Sequence, residues 1–475
     1  MLFTSAAYLL LFLPATVAAY WLVPARLRVV LLLVASYVFY LSWNPKYGLL
    51  LAASTVVNFT LAKRLPSARS PRALLALGVA FNLGVLAYFK YVGLFSKSAA
   101  DLIDWLGLGR TGSFDGLHVL LPLAISFFTF EMISVLVDVY RGDVRVGGFL
   151  TFAAYKAFFP KLVSGPITRY RELAPQIEKP QPLRFERFQS GVALFALGLA
   201  KKLVLADNVA VLANTLFNDP AAANSGTAAV GILAFGVQIY LDFSAYTDMA
   251  RGAARMLGLE LPRNFNFPYA ATSPSDFWRR WHMSLSRWLR DYLYIPLGGN
   301  RHGRLNTYRN LMATMVLGGL WHGAGWHFAL WGAMQGVFLS VDHALRGRFP
   351  RPSRALTLTA RGATLVAVFA AWVFFRAQSL GQAFDVFAAL GRLPFDLAAP
   401  TALYSSPPVG IVLAALLAFV LGSAPAARLS PRLRALVLPR PTVRLAALAS
   451  LTVCCWTLTD VLTRSTTVPF IYFRF

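Results

Sequence analysis

Long apolar stretches recur along the chain, and most of them approach the roughly 17–25 residues that a helix needs to cross a bilayer. The pattern predicts about 11–12 spanning helices. Several stretches are shorter than about 17 residues, which indicates tilted, re-entrant or flank-extended helices. The candidate spans are Leu2–Leu22, Val29–Trp43, Tyr47–Ala62, Ala73–Phe89, Leu117–Val137, Phe188–Val204, Thr227–Tyr246, Tyr308–Leu320, His327–Val341, Ala363–Phe375, Val409–Leu421 and Leu445–Leu462.

Two regions depart from this pattern. Residues 146–187 are apolar but are interrupted by Pro160, Gly165 and Pro166, and such a backbone is tolerated at membrane depth only where protein or a wet cavity satisfies it. Residues 263–305 are too charged to cross lipid. No soluble domain or repeat is evident. We therefore predict one all-α polytopic membrane domain over residues 1–475, with re-entrant and interfacial helices added to the spans.

Residues 276–292 separate into two faces when they are placed on a helical wheel at about 100° per residue. The pattern predicts an amphipathic helix whose aromatic face enters the membrane or the protein interior. The apolar arc contains Phe277, Trp278, Trp281, His282, Leu285, Trp288, Leu289 and Tyr292. The polar arc contains Asp276, Arg279, Arg280, Arg287, Arg290 and Asp291. His282 lies at the edge of the apolar arc, where a structural histidine with one internal hydrogen bond and a functional histidine are equally good interpretations.

Composition supports lipid as the main solvent. The 475 residues are 57% hydrophobic and only 14% charged, with a mean hydropathy of +0.57. The net charge of +25 does not indicate nucleic-acid binding, because the basic residues lie in short segments between apolar runs, as in cytoplasmic loops. Placing those loops, including Arg346–Arg361 and Arg428–Arg444, in the cytoplasm puts the N-terminus outside. We expect a multi-pass protein of the bacterial inner membrane whose first apolar stretch is a retained span.

The segment Gly318–His327 carries the strongest chemical signal. It reads Gly-Gly-Leu-Trp-His-Gly-Ala-Gly-Trp-His at the end of an apolar span. An ionisable side chain at membrane depth is costly and indicates function by default, and histidine is suited to moving a proton near neutral pH. The competing interpretation is a histidine that anchors the membrane surface beside Trp321 and Trp326. The functional interpretation is favoured for His322 and disfavoured for His327.

Metal binding is not indicated. His322 and His327 differ by about 140° around a helix, and no Asp, Glu or Cys lies near them to complete a site. Cys454 and Cys455 are adjacent and form neither a disulfide framework nor a spaced ligand pair.

Other polar groups fall within or beside the apolar stretches, at Glu131, Asp138, Asp242 and Asp248. The last two could orient a histidine or an arginine, or could mark an ion path. The chain has no phosphate-binding loop, dinucleotide fingerprint or Gly-x-Ser-x-Gly elbow.

Several sequence blocks resemble the membrane-bound O-acyltransferase superfamily, in the branch of the alginate O-acetyltransferase membrane subunit. They follow the expected order from about residue 120 to the C-terminus. The blocks are Leu121–Phe130, Phe159–Ile167, Tyr240–Asp248, Asn264–Tyr269, Phe277–Tyr294, Gly298–Arg301, Trp321–Trp326 and Pro469–Phe475. The resemblance implies a helical membrane fold around a central funnel. It also places the family's near-invariant histidine at His322 and an accompanying polar position at His282. At His327 relatives often carry Asn, which weakens a catalytic role there.

The resemblance implies an O-acyltransferase that moves an acyl group, by subfamily likeness acetyl, from a cytoplasmic donor toward hydroxyls of an extracytoplasmic polysaccharide. His322 would be the general base, and His282 would orient the donor or stabilise the carbonyl oxygen. No cofactor is expected to be bound permanently, and the donor would be acetyl-CoA or another acyl thioester. Membrane lipids and an extracytoplasmic partner that binds the polysaccharide are the expected partners. Supporting or substrate-binding candidates are Trp321, Asp242, Asp248, Arg287, Arg290, Asp291 and Tyr294.

Two other functions remain compatible with the residues themselves. A transporter or channel could export an acyl donor or lipid-linked sugar without forming a bond, although no inverted repeat with paired broken helices is evident. A passive scaffold for a secretion complex would tolerate substitution of both histidines.

Overall fold

A computed structural model describes residues 1–107, 120–345, 353–393 and Phe470. Within these ranges the regular structure is helical and contains no strand, which confirms the all-α prediction. The candidate spans Val409–Leu421 and Leu445–Leu462, the segment Arg428–Arg444 and the two cysteines lie outside the described residues.

The chain divides into two compact units, and the expectation of a single domain stays a prediction. The first unit comprises Met1–Val192 and Ala250–Pro262. Its helices are α1 (Ala7–Leu22), α2 (Arg28–Leu41), α3 (Lys46–Arg64), α4 (Pro71–Trp105), α5 (Ile125–Arg141), α6 (Phe149–Ala157), α7 (Phe159–Leu162) and α8 (Tyr170–Glu178). The next helix, α9 (Phe185–Ala200), begins in this unit and ends in the second.

The second unit comprises Ala193–Met249 and the chain from Arg263 onward. After α9 a π-helical turn, Lys201–Ala206, leads into α10. The further helices are α10 (Asp207–Asn218), α11 (Ser225–Met256, which ends in the first unit), α12 (Pro274–Arg280), α13 (Met283–Leu289), α14 (Gly303–His322), α15 (Trp326–Leu345), α16 (Arg354–Arg376) and α17 (Leu380–Leu390).

Each of the candidate spans that falls in the described residues coincides with a helix. In the part of the chain that the structure describes, three helices, α4, α11 and α16, are long and apolar enough to cross a membrane. Leu10, Leu49 and Leu77 on α1, α3 and α4 are 60–78% exposed, as suits helices whose outer faces contact lipid. Helix α5 begins at Ile125 rather than at Leu117, because Ala124 takes a left-handed conformation with φ 68°.

The Pro- and Gly-interrupted region folds into short, deeply buried helices. Helices α6 and α7 are separated at Phe158, and residues 151–170 are all buried. The Nζ of Lys161 donates to the Glu131 carboxylate, and the backbone N–H of Thr168 donates to the same carboxylate at 3.3 Å. The Glu131 carboxylate thus satisfies a backbone N–H of this broken segment, as is required of such a backbone at membrane depth.

Helices α14 and α15 form a close antiparallel pair in the second unit. A Cβ added to Gly319 would overlap the Phe328 carbonyl, and one added to Gly332 would overlap the Met315 carbonyl. The glycines thus allow two backbones to approach more closely than any side chain would permit. This packing fixes the turn between the two helices, where His322 lies.

Candidate active site

His322 is the last residue of α14, and its ring lies in an aromatic enclosure. The side chain is only 6% exposed. Its ring centroid is 4.9 Å from that of Trp321, 5.2 Å from that of Trp331 and 5.2 Å from that of Phe375. The sequence predicts the tryptophan beside it, but Trp331 and Phe375 belong to other apolar helices, where nothing distinguishes them from core residues. His322 therefore faces protein rather than bulk lipid.

His282 is brought close to His322. The two ring centroids are 6.4 Å apart, and the His282 ring also lies 6.3 Å from Trp321. Phe243 of α11 packs edge-on against it at 4.7 Å. His282 is completely buried. The structure thus brings the two candidate histidines and Trp321 together, and their catalytic roles stay a prediction.

The prediction of one continuous helix over residues 276–292 is wrong. Helix α12 ends at Arg280, α13 begins at Met283, and a π-helical turn covers Arg290–Tyr294. His282 stands at the break with φ 41° and ψ 52°, a left-handed conformation that a helix cannot contain. The prediction of which side chains are buried is nevertheless correct for the apolar arc, because each of its residues is buried.

Asn264 holds the break from outside the two helices. Its carbonyl accepts from the Met283 N–H at 2.9 Å, and its side-chain Oδ1 accepts from the Ser284 N–H at 3.0 Å. These N–H groups begin α13 and have no partner inside the helix. The His282 side chain does not cap α13, and Asn264, which is itself buried, does so from a separate segment. The start of α13 is therefore capped without the His282 imidazole.

The left-handed backbone at His282 predicts that glycine is better tolerated there than alanine. Both substitutions remove the imidazole, but only alanine keeps the Cβ that opposes this conformation, so His282→Gly should be more stable than His282→Ala by about 1–2 kcal/mol. Thermal unfolding in detergent measures the difference. At Ser286, inside α13, the Ala variant should instead be more stable than the Gly variant by about 1 kcal/mol. Equal stabilities at position 282 would contradict the left-handed assignment.

Burial sets the charge of the second histidine. It lowers the pKa of His282 to about 3, because a charged imidazolium would lie in a fully desolvated site. The ring is therefore neutral near neutral pH. A neutral imidazole carries one N–H donor and one acceptor nitrogen. It can donate a hydrogen bond to a polarised carbonyl oxygen without giving up a proton.

Two of the candidate site residues, Asp242 and Asp248, form ion pairs with two lysines that are neighbours in the sequence. Asp248 pairs with Lys201 at 2.5 Å, and Lys202 lies 2.9 Å from Asp242 and 2.8 Å from Asp207. The two lysines follow directly on α9, where the π-helical turn begins. The sequence interpretation did not include these partners, although two consecutive lysines at the end of an apolar stretch are a visible signal.

The remaining candidates lie around the turn after α13. The Arg290 guanidinium contacts the Asp291 carboxylate at 2.6 Å, and Arg290 is exposed. Arg287 is half-buried on α13. Tyr294 lines a cavity of about 240 Å³, together with Ser275, Asn300, Leu311, Leu339 and His343. Tyr294 therefore belongs to a cavity whose lining includes neither His282 nor His322.

His327 has a different environment from His322. It is buried at the start of α15, and its Nδ1 lies 2.9 Å from the Phe374 carbonyl oxygen. Among the described residues no group of three or more His, Cys, Asp or Glu side chains is placed to hold a metal ion.

Comparison with known proteins shows the family of the chain. Residues 104–381 match the model of the membrane-bound O-acyltransferase family. The chain is 44% identical over 398 residues to the probable alginate O-acetylase AlgI of Azotobacter vinelandii, covering 82% of this chain and 78% of that protein. It is 43% identical over 397 residues to the AlgI of Pseudomonas aeruginosa, covering 82% and 75%. It is also 37% identical over 427 residues to the peptidoglycan O-acetyltransferase of Helicobacter pylori, covering 81% and 79%. The chain therefore belongs to the membrane-bound O-acyltransferase family and is an O-acyltransferase of the membrane.

Proposed function

We propose that this protein transfers an acetyl group from a cytoplasmic acyl thioester toward hydroxyls of an extracytoplasmic polysaccharide, with His322 as the general base. The observation that carries the proposal is the pair of buried imidazoles, 6.4 Å apart, inside an aromatic enclosure. The relatives are named for O-acetylation of alginate and of peptidoglycan, which supports a polysaccharide acceptor and acetyl as the group.

The reaction needs one proton transfer and one stabilised oxygen. His322 takes the proton of the attacking hydroxyl as its oxygen bonds to the thioester carbonyl carbon. His282, neutral and close by, donates to the carbonyl oxygen while negative charge develops there. The carbon–sulfur bond then breaks, and the proton passes from His322 to the departing thiolate. The products are an ester and a free thiol, so no cofactor is consumed.

The arginines that precede Tyr294 in the sequence suit the donor. The charge pattern favours a cytoplasmic position for the residues just before α14, and Arg287, Arg290 and the arginines near them offer guanidiniums that can bind phosphate oxygens in a bidentate manner. A thioester donor such as acetyl-CoA carries such phosphates. An extracytoplasmic partner that binds the polysaccharide would receive or direct the acetyl group. On this proposal the protein spans the bacterial inner membrane with its N-terminus outside.

Mass analysis of ester-linked groups on surface glycans tests the proposal. Deleting the gene should remove one class of ester, and restoring it should return that class with the mass of an acetyl group. A glycan with unchanged esters after deletion would contradict the function. A longer ester-linked group would mean that the protein is an acyltransferase whose acyl donor is not an acetyl thioester.

Transport of the acyl donor across the membrane, in addition to acyl transfer, is the second candidate activity. The buried ion pair of Lys202 with Asp242 and the partly buried pair of Lys201 with Asp248 favour it, because charges at membrane depth often mark a pathway. Protein in sealed vesicles distinguishes the two possibilities. Acyl donor should accumulate inside the vesicles without an acceptor if the protein also transports it, and should not accumulate if the protein only transfers the acyl group.

A further inference from the structure

We infer that His327 is a positioning residue for the acyl transfer, and that it acts by tying the turn that carries His322 to the end of α16. The inference rests on the proposed function, because it concerns how His322 is held. Its subject is a hydrogen bond that the reaction itself does not use, between the Nδ1–H of His327 and the Phe374 carbonyl.

The carbonyl of Phe374 lies in the last turn of α16, where carbonyl oxygens lack a donor from the following turn. The donor that a continued helix would supply is the Gln378 N–H, but this group donates instead to the Gln382 Oε1 at 2.6 Å. His327 supplies the donor from another helix, with its Nδ1 at 2.9 Å. A carbonyl can only accept, so the His327 hydrogen is on Nδ1.

The next residue of α16 links this bond to the catalytic candidate. Phe375 is completely buried and packs edge-on against His322 at 5.2 Å. It also contacts Trp331 at 5.1 Å and Phe328 at 5.3 Å. Fixing the Phe374 carbonyl therefore fixes the direction of the Phe375 ring. That ring forms one wall of the enclosure around His322.

The turn between α14 and α15 makes the same connection from the other side. A Cβ on Gly323 would overlap the Phe328 ring, and a Cβ on Gly325 would lie 2.5 Å from the His327 Nε2. The turn can pass only because both positions are glycine. His322 and His327 are thus the two ends of one compact turn, and the bond to Phe374 anchors the end that carries no catalytic group.

A substitution series separates donor geometry from space filling. The Asn side-chain nitrogen is as many bonds from the backbone as the histidine Nδ1, whereas the Gln nitrogen is one bond farther and Leu offers no donor. The variants His327→Asn, His327→Gln and His327→Leu are produced as full-length protein in cells that lack the native gene. The initial rate at which ester-linked acetyl appears on surface glycan is measured per amount of inserted protein.

We expect His327→Asn to keep at least about one third of the wild-type rate, because it restores the donor. Gln and Leu should lower the rate about 10- to 100-fold, since a misplacement of about 1 Å in an active site can lower the rate by up to about 100-fold. A merely space-filling role would instead favour the larger Gln and Leu over Asn.

Three results would overturn the inference. They are a wild-type rate in the Leu variant, an Asn variant as slow as Leu, and a Gln variant faster than Asn. The second would assign the chemistry to the imidazole ring itself. Absence of acetyl ester in cells with the wild-type protein would instead refute the proposed function, so the two failures are distinguishable.

Discussion

The His322→Ala variant should lose acyl transfer almost completely while it remains inserted in the membrane. A positioned general base raises the rate about 10²–10⁴-fold. In the proposed reaction no group other than His322 accepts the proton. The rate is the appearance of ester-linked acetyl on surface glycan per amount of inserted protein. We expect it to fall by at least about 100-fold.

A matched control lies at the N-terminal end of the same helix, just before its first residue. His302 precedes α14 and is exposed, so His302→Ala removes an imidazole from solvent and should leave the rate within about twofold. Persistence of normal ester levels in His322→Ala would show that the enclosed imidazole is not the base. A similar loss in both variants would indicate a general effect of altering α14 rather than a catalytic one.

The sequence predicts much of this site because the signals are local. An apolar run that ends in Gly-Gly-Leu-Trp-His predicts both a helix terminus and a buried histidine, and α14 ends at His322. The aromatic arc around His282 predicts its burial for the same reason. Helix positions also follow from the apolar runs alone, because lipid leaves few alternatives to a helix.

The parts that the sequence does not predict depend on distant residues. The break at His282 is stabilised by Asn264, which lies in a separate segment. The helical periodicity of the sequence therefore continues through a position where the helix itself is interrupted. Likewise Asp242 and Asp248 acquire Lys202 and Lys201 as partners only when the π-helical turn after α9 packs against α11. Tertiary contacts override the local pattern in both places.

The second large effect concerns the ion pair of Glu131 and Lys161 in the first unit. Both side chains are buried, and removal of one partner from a buried pair costs about 3–5 kcal/mol, because the other charge is left in a poor solvent. We therefore expect Lys161→Met and Glu131→Leu each to lower stability strongly. Thermal unfolding in detergent and the amount of folded protein in membranes measure the loss.

The two single variants should not be equal. Lys156 is also completely buried, with its Nζ 4.9 Å from the centre of the Phe128 ring and 3.4 Å from the Leu51 carbonyl oxygen. Glu131→Leu leaves two lysines without a carboxylate. Lys161→Met leaves one carboxylate with one lysine near it and with the Thr168 N–H still donating. The Glu131 variant should therefore be the less stable.

The double variant, Glu131→Leu with Lys161→Met, tests whether the loss of stability in the single variants comes from an unpaired buried charge or from altered packing. Apolar residues of similar volume often replace a buried ion pair at little cost in stability. The double variant should therefore be more stable than the sum of the two single losses predicts, with a coupling free energy of about 1–3 kcal/mol. Additive losses would mean that the two side chains act independently. Because neither side chain takes part in the proposed reaction, the transfer rate per folded molecule should change far less than the amount of folded protein.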